Sequence, residues 1–344
     1  MIHQGMIDQY QNLLRMYQIE AEFMEKIGKI IKIYSKKGTF ALKETELTDV
    51  QRKSFLFTIQ TLHLNGYRHS VPIYPTQSGE YMIHRDGMYY YLMPWLEGKG
   101  VEKENRENEL MKQIAKVHIV TANKEKINKE YYKKYYEKAI YRAEIRKLDY
   151  ERYIDQCEKR LYMSPYDLLY CTYFNLFMQM EQFSLNQLED WYNNVLEKTN
   201  NRIVICHGNV RPSHLLYDEN GHPYLTSFER SFTASPIYDL LYYFKKLFYK
   251  TPQFSSSTLQ QYNQYNHHNH LTEDERLLFM YYLTKTSGIY NCIKHYRNDR
   301  TLPEKTSVVQ LQRYIWQLQA AKAFVQQLQQ VIEQNRQAST EEIL

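Results

Sequence analysis

Residues 203–240 constrain this chain more tightly than any other stretch. The run Ile203-Val204-Ile205-Cys206 is apolar and β-branched, and it reads as a buried strand delivering His207-Gly208-Asn209 into a loop. Leu215-Leu216-Tyr217, a turn at Asp218-Glu219-Asn220-Gly221 and the run 223–228 read as a hairpin that ends at Thr226-Ser227-Phe228-Glu229. Ser235-Pro236-Ile237-Tyr238-Asp239-Leu240 then opens a helix. With 344 residues, 43% of them hydrophobic, the chain is long enough to bury a sizeable core around such an arrangement.

The chain before this stretch divides in two by periodicity. Ile7, Tyr10, Leu13, Leu14 and Tyr17 keep helical spacing, residues 29–34 and 39–43 alternate, and Ser35-Lys36-Lys37-Gly38 between them reads as a hairpin turn. Residues 48–64 return to a helix, with Val50, Phe55, Ile59 and Leu62 expected on its buried face and Asn65-Gly66 as its end. Short extended runs follow at 71–73, 81–84 and 88–94. Trp95-Leu96-Glu97-Gly98-Lys99-Gly100 and the charged run 102–109 read as a hinge. Beyond it the periods are helical at 110–121, 130–161, 167–183 and 188–197, with a polar loop expected at 251–270 and a long final helix from 307 to about 335. The sum is an α+β protein with a small β-rich N-terminal lobe (1–97) and a large helical C-terminal lobe (98–344) containing the 203–240 stretch.

Composition narrows the function classes. Four widely spaced cysteines with no C-x-x-C argue against a cysteine-based zinc site or a disulfide framework. No stretch has the ~18 uncharged apolar residues that span a bilayer, and the N-terminus lacks the pattern of a secretory signal. A net charge of +5 is too mild to mark a nucleic-acid binder. Tyrosine is the outlier, at 34 residues against 11 glycines, so bulky amphipathic rings are abundant and phosphate-cradling loops are few. Tyr131, Tyr132, Tyr135, Tyr136 and Tyr141 interleave with basic residues, but with Ile140 their spacing fits the inward stripe of a helix better than a stacking platform for nucleic acid. His267-His268-Asn269-His270 lacks metal-ligand spacing and reads as a solvated loop, and the stripe Leu311, Ile315, Leu318, Val325, Leu328, Ile332 reads as packing on its own lobe.

In order, spacing and intervening hairpin, the 203–240 stretch resembles the aminoglycoside-phosphotransferase and choline-kinase branch of the protein-kinase-like fold. The family text is His-Gly-Asp, four residues, Asn, a hairpin, then Ile-Asp-Phe/Trp-Glu/Gly and a later Asp-Leu pair. In that family the first Asp serves the substrate hydroxyl, while the Asn and the second Asp hold magnesium. Here those three positions carry Asn209, His214 and Ser227. An amide accepts no proton, forfeiting roughly 10²–10⁴ in rate where a base operates. Imidazole and hydroxyl are poor replacements for the hard anionic donors that magnesium prefers. The shaping positions survive: His207 and Gly208 in the loop, and Asp239 where the family's structural Asp braces it. Lys43, at the end of Thr39-Phe40-Ala41-Leu42-Lys43, stands where kinases keep the lysine for the nucleotide phosphates, or is a solvent-facing lysine, since the helix after it has no glutamate and Ser35-Lys36-Lys37-Gly38 replaces a glycine-rich loop.

Within that fold the chain is most similar to the CotS family of endospore coat proteins, in its YutH branch. The resemblance is carried by Phe40-Ala41-Leu42-Lys43, Leu62-His63-Leu64-Asn65-Gly66-Tyr67, the segment 89–98, Ile114-Ala115-Lys116-Val117-His118 and the His-Gly-Asn loop. It implies a two-lobed kinase-like protein without catalytic activity that serves structure or assembly in the coat. Its partners are then other coat proteins, with no specific nucleic acid, no metal and no cofactor. It is made in the mother-cell cytoplasm and deposited in the coat, and its tyrosines supply contact area. The alternative is an active small-molecule phosphotransferase using ATP and magnesium with relocated groups, for which Asp218 and Glu229 are the nearby acids.

Overall fold

The computed structural model describes residues 2–98, 102–251, 254–298 and 301–341. In chain order the elements are α1 (Ile2–Met16), β1 (Phe23–Ile27), β2 (Ile30–Ser35), β3 (Gly38–Thr45), α2 (Asp49–Leu64), β4 (Ile83–Arg85), β5 (Met88–Pro94) and α3 (Lys103–Val120). Then come β6 (Asn123–Lys126), α4 (Lys129–Glu158), α5 (Pro165–Leu196), β7 (Asn200–Cys206), β8 (Leu215–Tyr217), β9 (Pro223–Leu225) and β10 (Phe232–Ala234). The chain closes with α6 (Ile237–Lys250), α7 (Ser256–His268), α8 (Glu273–Thr284), α9 (Ser287–Asn298) and α10 (Glu304–Glu341). Two compact units result: residues 1–121 with 205–233, and residues 122–204 with 234–344.

The first unit is built on an antiparallel sheet of order β1-β2-β3-β5-β4. Alternation selects its buried face: Met24, Ile31, Ile33, Leu42 and Leu92 pack on Tyr10, Leu13 and Leu14 of α1. The turn between β2 and β3 pairs Ser35 with Gly38, as the sequence predicts, and Gly38 takes φ +123, which a side chain rarely tolerates. α2 starts from a capping box in which Thr48 and Gln51 satisfy each other's backbone N–H. Phe55 and Leu62 of α2 are buried, but Val50 is 77% exposed because it lies in the first turn, beyond the edge of the buried stripe. The β8–β9 hairpin joins this unit through the chain after α2: Leu225 donates to the His69 carbonyl and Val71 donates to Leu225.

In the second unit α5 packs on α4 and α8, and α10 runs along α5, α6, α8 and α9. Its core is aromatic, with Tyr150, Tyr153, Tyr166, Tyr170 and Phe177 buried together. A buried ion pair between Arg146 and Glu181, which also accepts from the Thr286 hydroxyl, ties α4 to α5. β6 pairs antiparallel with residues 200–203 of β7. Ser164 caps α5 and Pro165 begins it, as read from the sequence. Leu311, Ile315, Leu318, Val325 and Leu328 of α10 are buried within the unit, in agreement with a helix that packs on its own lobe.

Four expectations are corrected. The segment 167–197 is one continuous helix, because Ser184 and Gln187, which interrupt the apolar period, are themselves buried and Ser184 bonds back to the Glu181 carbonyl. The expected loop at 251–270 contains α7, whose inward stripe is Thr258, Gln261, Tyr262 and Tyr265, polar or amphipathic types that a hydrophobicity pattern does not register. The charged run 102–109 is the start of α3, with Glu104 in its first turn; Lys99 and Gly100 of the expected hinge lie outside the described residues. The tyrosines divide between core and surface: Tyr262 is 2% and Tyr265 0% exposed, while Tyr131 and Tyr141 are each 63% exposed and so are not part of an inward stripe.

Candidate functional site

Of His207, Gly208, Asn209, His214, Ser227 and Asp239, all but Asp239 fall in the first unit. Asp239 is buried in the first turn of α6 in the second. The loop at 207–209 is locked by its histidine. His207 Nε2 donates to the Thr226 carbonyl at 2.9 Å, and Nδ1 accepts from the Asn209 N–H at 3.2 Å, so the ring is a neutral tautomer with both nitrogens engaged. Gly208 takes φ +74, and a Cβ there would lie 2.0 Å from the Arg230 carbonyl oxygen, so no other residue fits. His214 Nδ1 donates to the Asn209 carbonyl at 2.9 Å. Burial, followed by the His207 ring and the Lys43 cation, lowers the His214 imidazole to about 4, so it is neutral at pH 7.

Lys43 ends neither in solvent nor without an acid. Its side chain is 14% exposed, and its ammonium lies 2.5 Å from Glu229 Oε1 and donates to Ser227 Oγ at 2.7 Å. Glu229 is 9% exposed and also accepts from the Tyr91 hydroxyl at 2.6 Å. Burial alone would raise the Glu229 carboxyl, but the Lys43 ammonium overrides it and holds the group below its ordinary value. The same burial, with the Glu229 charge beside it, drives the Tyr91 phenol well up. Ser227 sits at φ 71, ψ 46, a left-handed conformation that costs a non-glycine residue about 1 kcal/mol or more.

The geometry explains how a lysine on β3 is satisfied when α2 offers no glutamate. α2 presents Phe55 to β5, its ring 5.3 Å from that of Tyr91, and Thr58 to the chain after β9, its hydroxyl bonding Ser231 at 2.8 Å. The acid comes instead from the short 3-10 turn Phe228–Arg230, which sets Glu229 back against β3 and β5. Sequence reading named Glu229 only as an acid near the hairpin, and the structure pairs it with Lys43. The available signal was the combination of a β3 lysine without a glutamate in the next helix and an acid retained two residues after Ser227. Asp218 is elsewhere in role: it accepts from the backbone N–H groups of Asn220 and His222 and pairs with the His222 ring, closing the β8–β9 turn.

Chemically the cluster offers one cation, one buried carboxylate already paired with it, a hydroxyl and a neutral imidazole. A magnesium-nucleotide needs two or more anionic oxygens not otherwise committed, and Asn209, His214 and Ser227 supply none at the positions that resemble the family's base and metal ligands. A nucleotide phosphate reaching for Lys43 would meet an ammonium already engaged by Glu229 and Ser227. The donor set fits a self-contained ion pair better than it fits a metal.

The five-stranded antiparallel sheet with α2, and the helical unit with the strand, loop and hairpin between its parts, make this a two-lobed α+β protein of the kinase-like, aminoglycoside-phosphotransferase fold. An aminoglycoside phosphotransferase from Alicyclobacillus acidocaldarius is similar with a TM-score of 0.72 at 15% identity, over 94% of this chain and 96% of that one. A microcompartment-associated aminopropanol kinase matches with a TM-score of 0.55 at 9% identity, over 93% and 98%. The amicoumacin kinase hAmiN matches at 0.51 and 11%, over 92% and 96%. At such identities the likeness is one of fold. No family model matches this sequence, and no curated protein matches it. No helix among the described residues is long and apolar enough to cross a membrane.

Proposed function

We propose that this protein is a non-catalytic, kinase-like structural or assembly component of the bacterial endospore coat, as its resemblance to the CotS family and its YutH branch implies. One observation carries the non-catalytic half: Asn209, His214 and Ser227 stand together where a base and two metal ligands are needed. The coat assignment rests on the sequence motifs. The partners are other coat proteins, and no cofactor is used.

Titration calorimetry with magnesium-ATP, run beside a turnover assay on aminoglycosides and choline-like alcohols, tests the first half. No binding heat and no phosphoryl transfer are expected. Magnesium-dependent ATP consumption that vanishes in Glu229→Gln would overturn it in favour of the alternative, an active phosphotransferase with relocated groups. The observation that favours that alternative is Glu229 itself, an ionised carboxylate held close to Lys43. Fractionation of sporulating cells tests the second half. The protein should be recovered with the insoluble coat, and recovery in the soluble extract would remove the assignment.

A further inference from the structure

The second unit contains an open groove of about 600 Å³ at α6, α8 and α10, within the size range of small-molecule sites. Tyr238, Tyr242 and Tyr249 of α6 line it, with Tyr282 of α8 and Tyr314 of α10. Tyr249 meets Tyr314 edge-on at 5.3 Å between centroids, and Tyr238 lies 6.0 Å from Tyr282. Gly288 of α9 makes room for this wall, since a Cβ there would lie 2.8 Å from the Tyr314 ring. Two lysines, Lys245 and Lys246, share the lining.

Lys245 is the unusual member. Its backbone carbonyl accepts from Gln317 at 2.7 Å, but no carboxylate pairs with its ammonium among the described residues. Burial pulls that ammonium down to about 8. Lys285, one turn past Tyr281, is also held to about 8: burial is the main cause, Arg146 and Lys245 add to it, and Glu181 opposes. Glu181 is committed to Arg146 and Thr286, and the Lys285 ammonium donates to the Tyr281 hydroxyl at 2.9 Å, a neutral acceptor. Lys246 lies over the Tyr242 ring at 5.7 Å. A protein interior rarely keeps a desolvated cation without a counter-charge, and here two lie within each other's field beside a wall of rings.

We propose that this groove is a binding site for a small aryl phosphate, its ring held among the tyrosines and its dianion paired with Lys245 in the field of Lys285. Two unneutralised cations favour a doubly charged anion over a carboxylate, and five rings favour a flat aromatic body over an aliphatic one. The site goes beyond the coat assignment and does not depend on it, because no residue of the Lys43 cluster takes part.

Calorimetry on the full chain at pH 7 with four probes tests this: phenyl phosphate, inorganic phosphate, benzoate and phenol. Phenyl phosphate should bind, with each of the other three at least tenfold weaker. Lys245→Met should weaken phenyl phosphate at least tenfold while melting no lower than the parent, since it replaces an unpaired half-buried cation by an apolar chain of similar length. Phenyl phosphate should also protect Lys245 from acylation, read by mass spectrometry, in the unmodified protein. No binding of phenyl phosphate at millimolar concentration, equal binding of inorganic phosphate, or undiminished binding by Lys245→Met would overturn the proposal. Should Lys245→Met fail to fold, absence of protection at Lys245 would overturn it instead.

Discussion

Removing the Lys43 ammonium while leaving Glu229 in place is the perturbation that most directly interrogates the cluster. At 2.5 Å and an effective dielectric near 20, the attraction is on the order of 7 kcal/mol. Desolvating both ions consumes several kcal/mol each, so the pair adds little net stability. Breaking it is different. Lys43→Met leaves a carboxylate that is 9% exposed without its cation, a change expected to destabilise the first unit by about 3–5 kcal/mol at pH 7. Lys43→Met with Glu229→Gln removes the stranded charge, keeps an acceptor for the Tyr91 hydroxyl, and should recover most of the loss.

The pH dependence carries the sign. In the parent protein Glu229 lies below its ordinary value of 4.5, so its contribution is present above that value and fades as pH falls through the depressed native one. In Lys43→Met burial acts unopposed and raises the carboxyl, so the penalty is absent in acid and grows as pH rises through 4.5. The gap between parent and variant should therefore be wide at pH 7 and narrow toward pH 4. Hydrogen exchange of β3 and β5 peptides reports on this unit alone, and protection there should drop on the order of 10²-fold or more in the single variant at pH 7. A single variant as protected as the parent, or a double variant no better than the single, would refute the reasoning.

Other outcomes follow from the same geometry. Gly208→Ala should cost more than about 4 kcal/mol or abolish soluble expression, because its Cβ meets a backbone carbonyl at 2.0 Å in a left-handed conformation; an unaltered urea midpoint would contradict this. Asn209→Asp with Ser227→Asp should not create a phosphotransferase, since the carboxylate introduced at position 227 would share one lysine with Glu229 and His214 would stay neutral; turnover by this variant would contradict it. Nitration should modify Tyr131, Tyr141 and Tyr162 well before Tyr262 and Tyr265, as peptide mass spectrometry of the native protein can establish. Cys157, buried and pushed up to about 12 by burial and then by Asp167, should resist alkylation at pH 8 until the protein is unfolded.

Local chemistry made much of the architecture legible. The turn at Ser35 to Gly38, the Ser164 and Pro165 start of α5 and the apolar stripe of α10 all follow from rules that act over a few residues. The fold class followed from the order of such signals. What could not be read is the pairing of Lys43 with Glu229, because nothing local marks which acid a 3-10 turn will return to a distant strand. α7 was hidden for another reason: Thr258, Gln261, Tyr262 and Tyr265 are side chains that serve a loop surface and a polar helix interior equally well. The same ambiguity misplaced the tyrosines, since a phenol can be buried when its hydroxyl finds a partner, as Tyr265 does with Asn269 at 2.8 Å. The three positions that resemble a lost active site were legible by residue type alone, and the structure adds how their neighbours are arranged.

The interleaving of the two units along the chain governs how the protein is made. A ribosome releases β3 long before Ser227, which follows Lys43 by 184 residues, so the nascent sheet carries an uncompensated cation while the segment 122–204 is still being synthesised. The second unit waits in turn for α10, the last of the described elements. The first unit can therefore close only after residue 233 has emerged, and the second only after α10 has followed it.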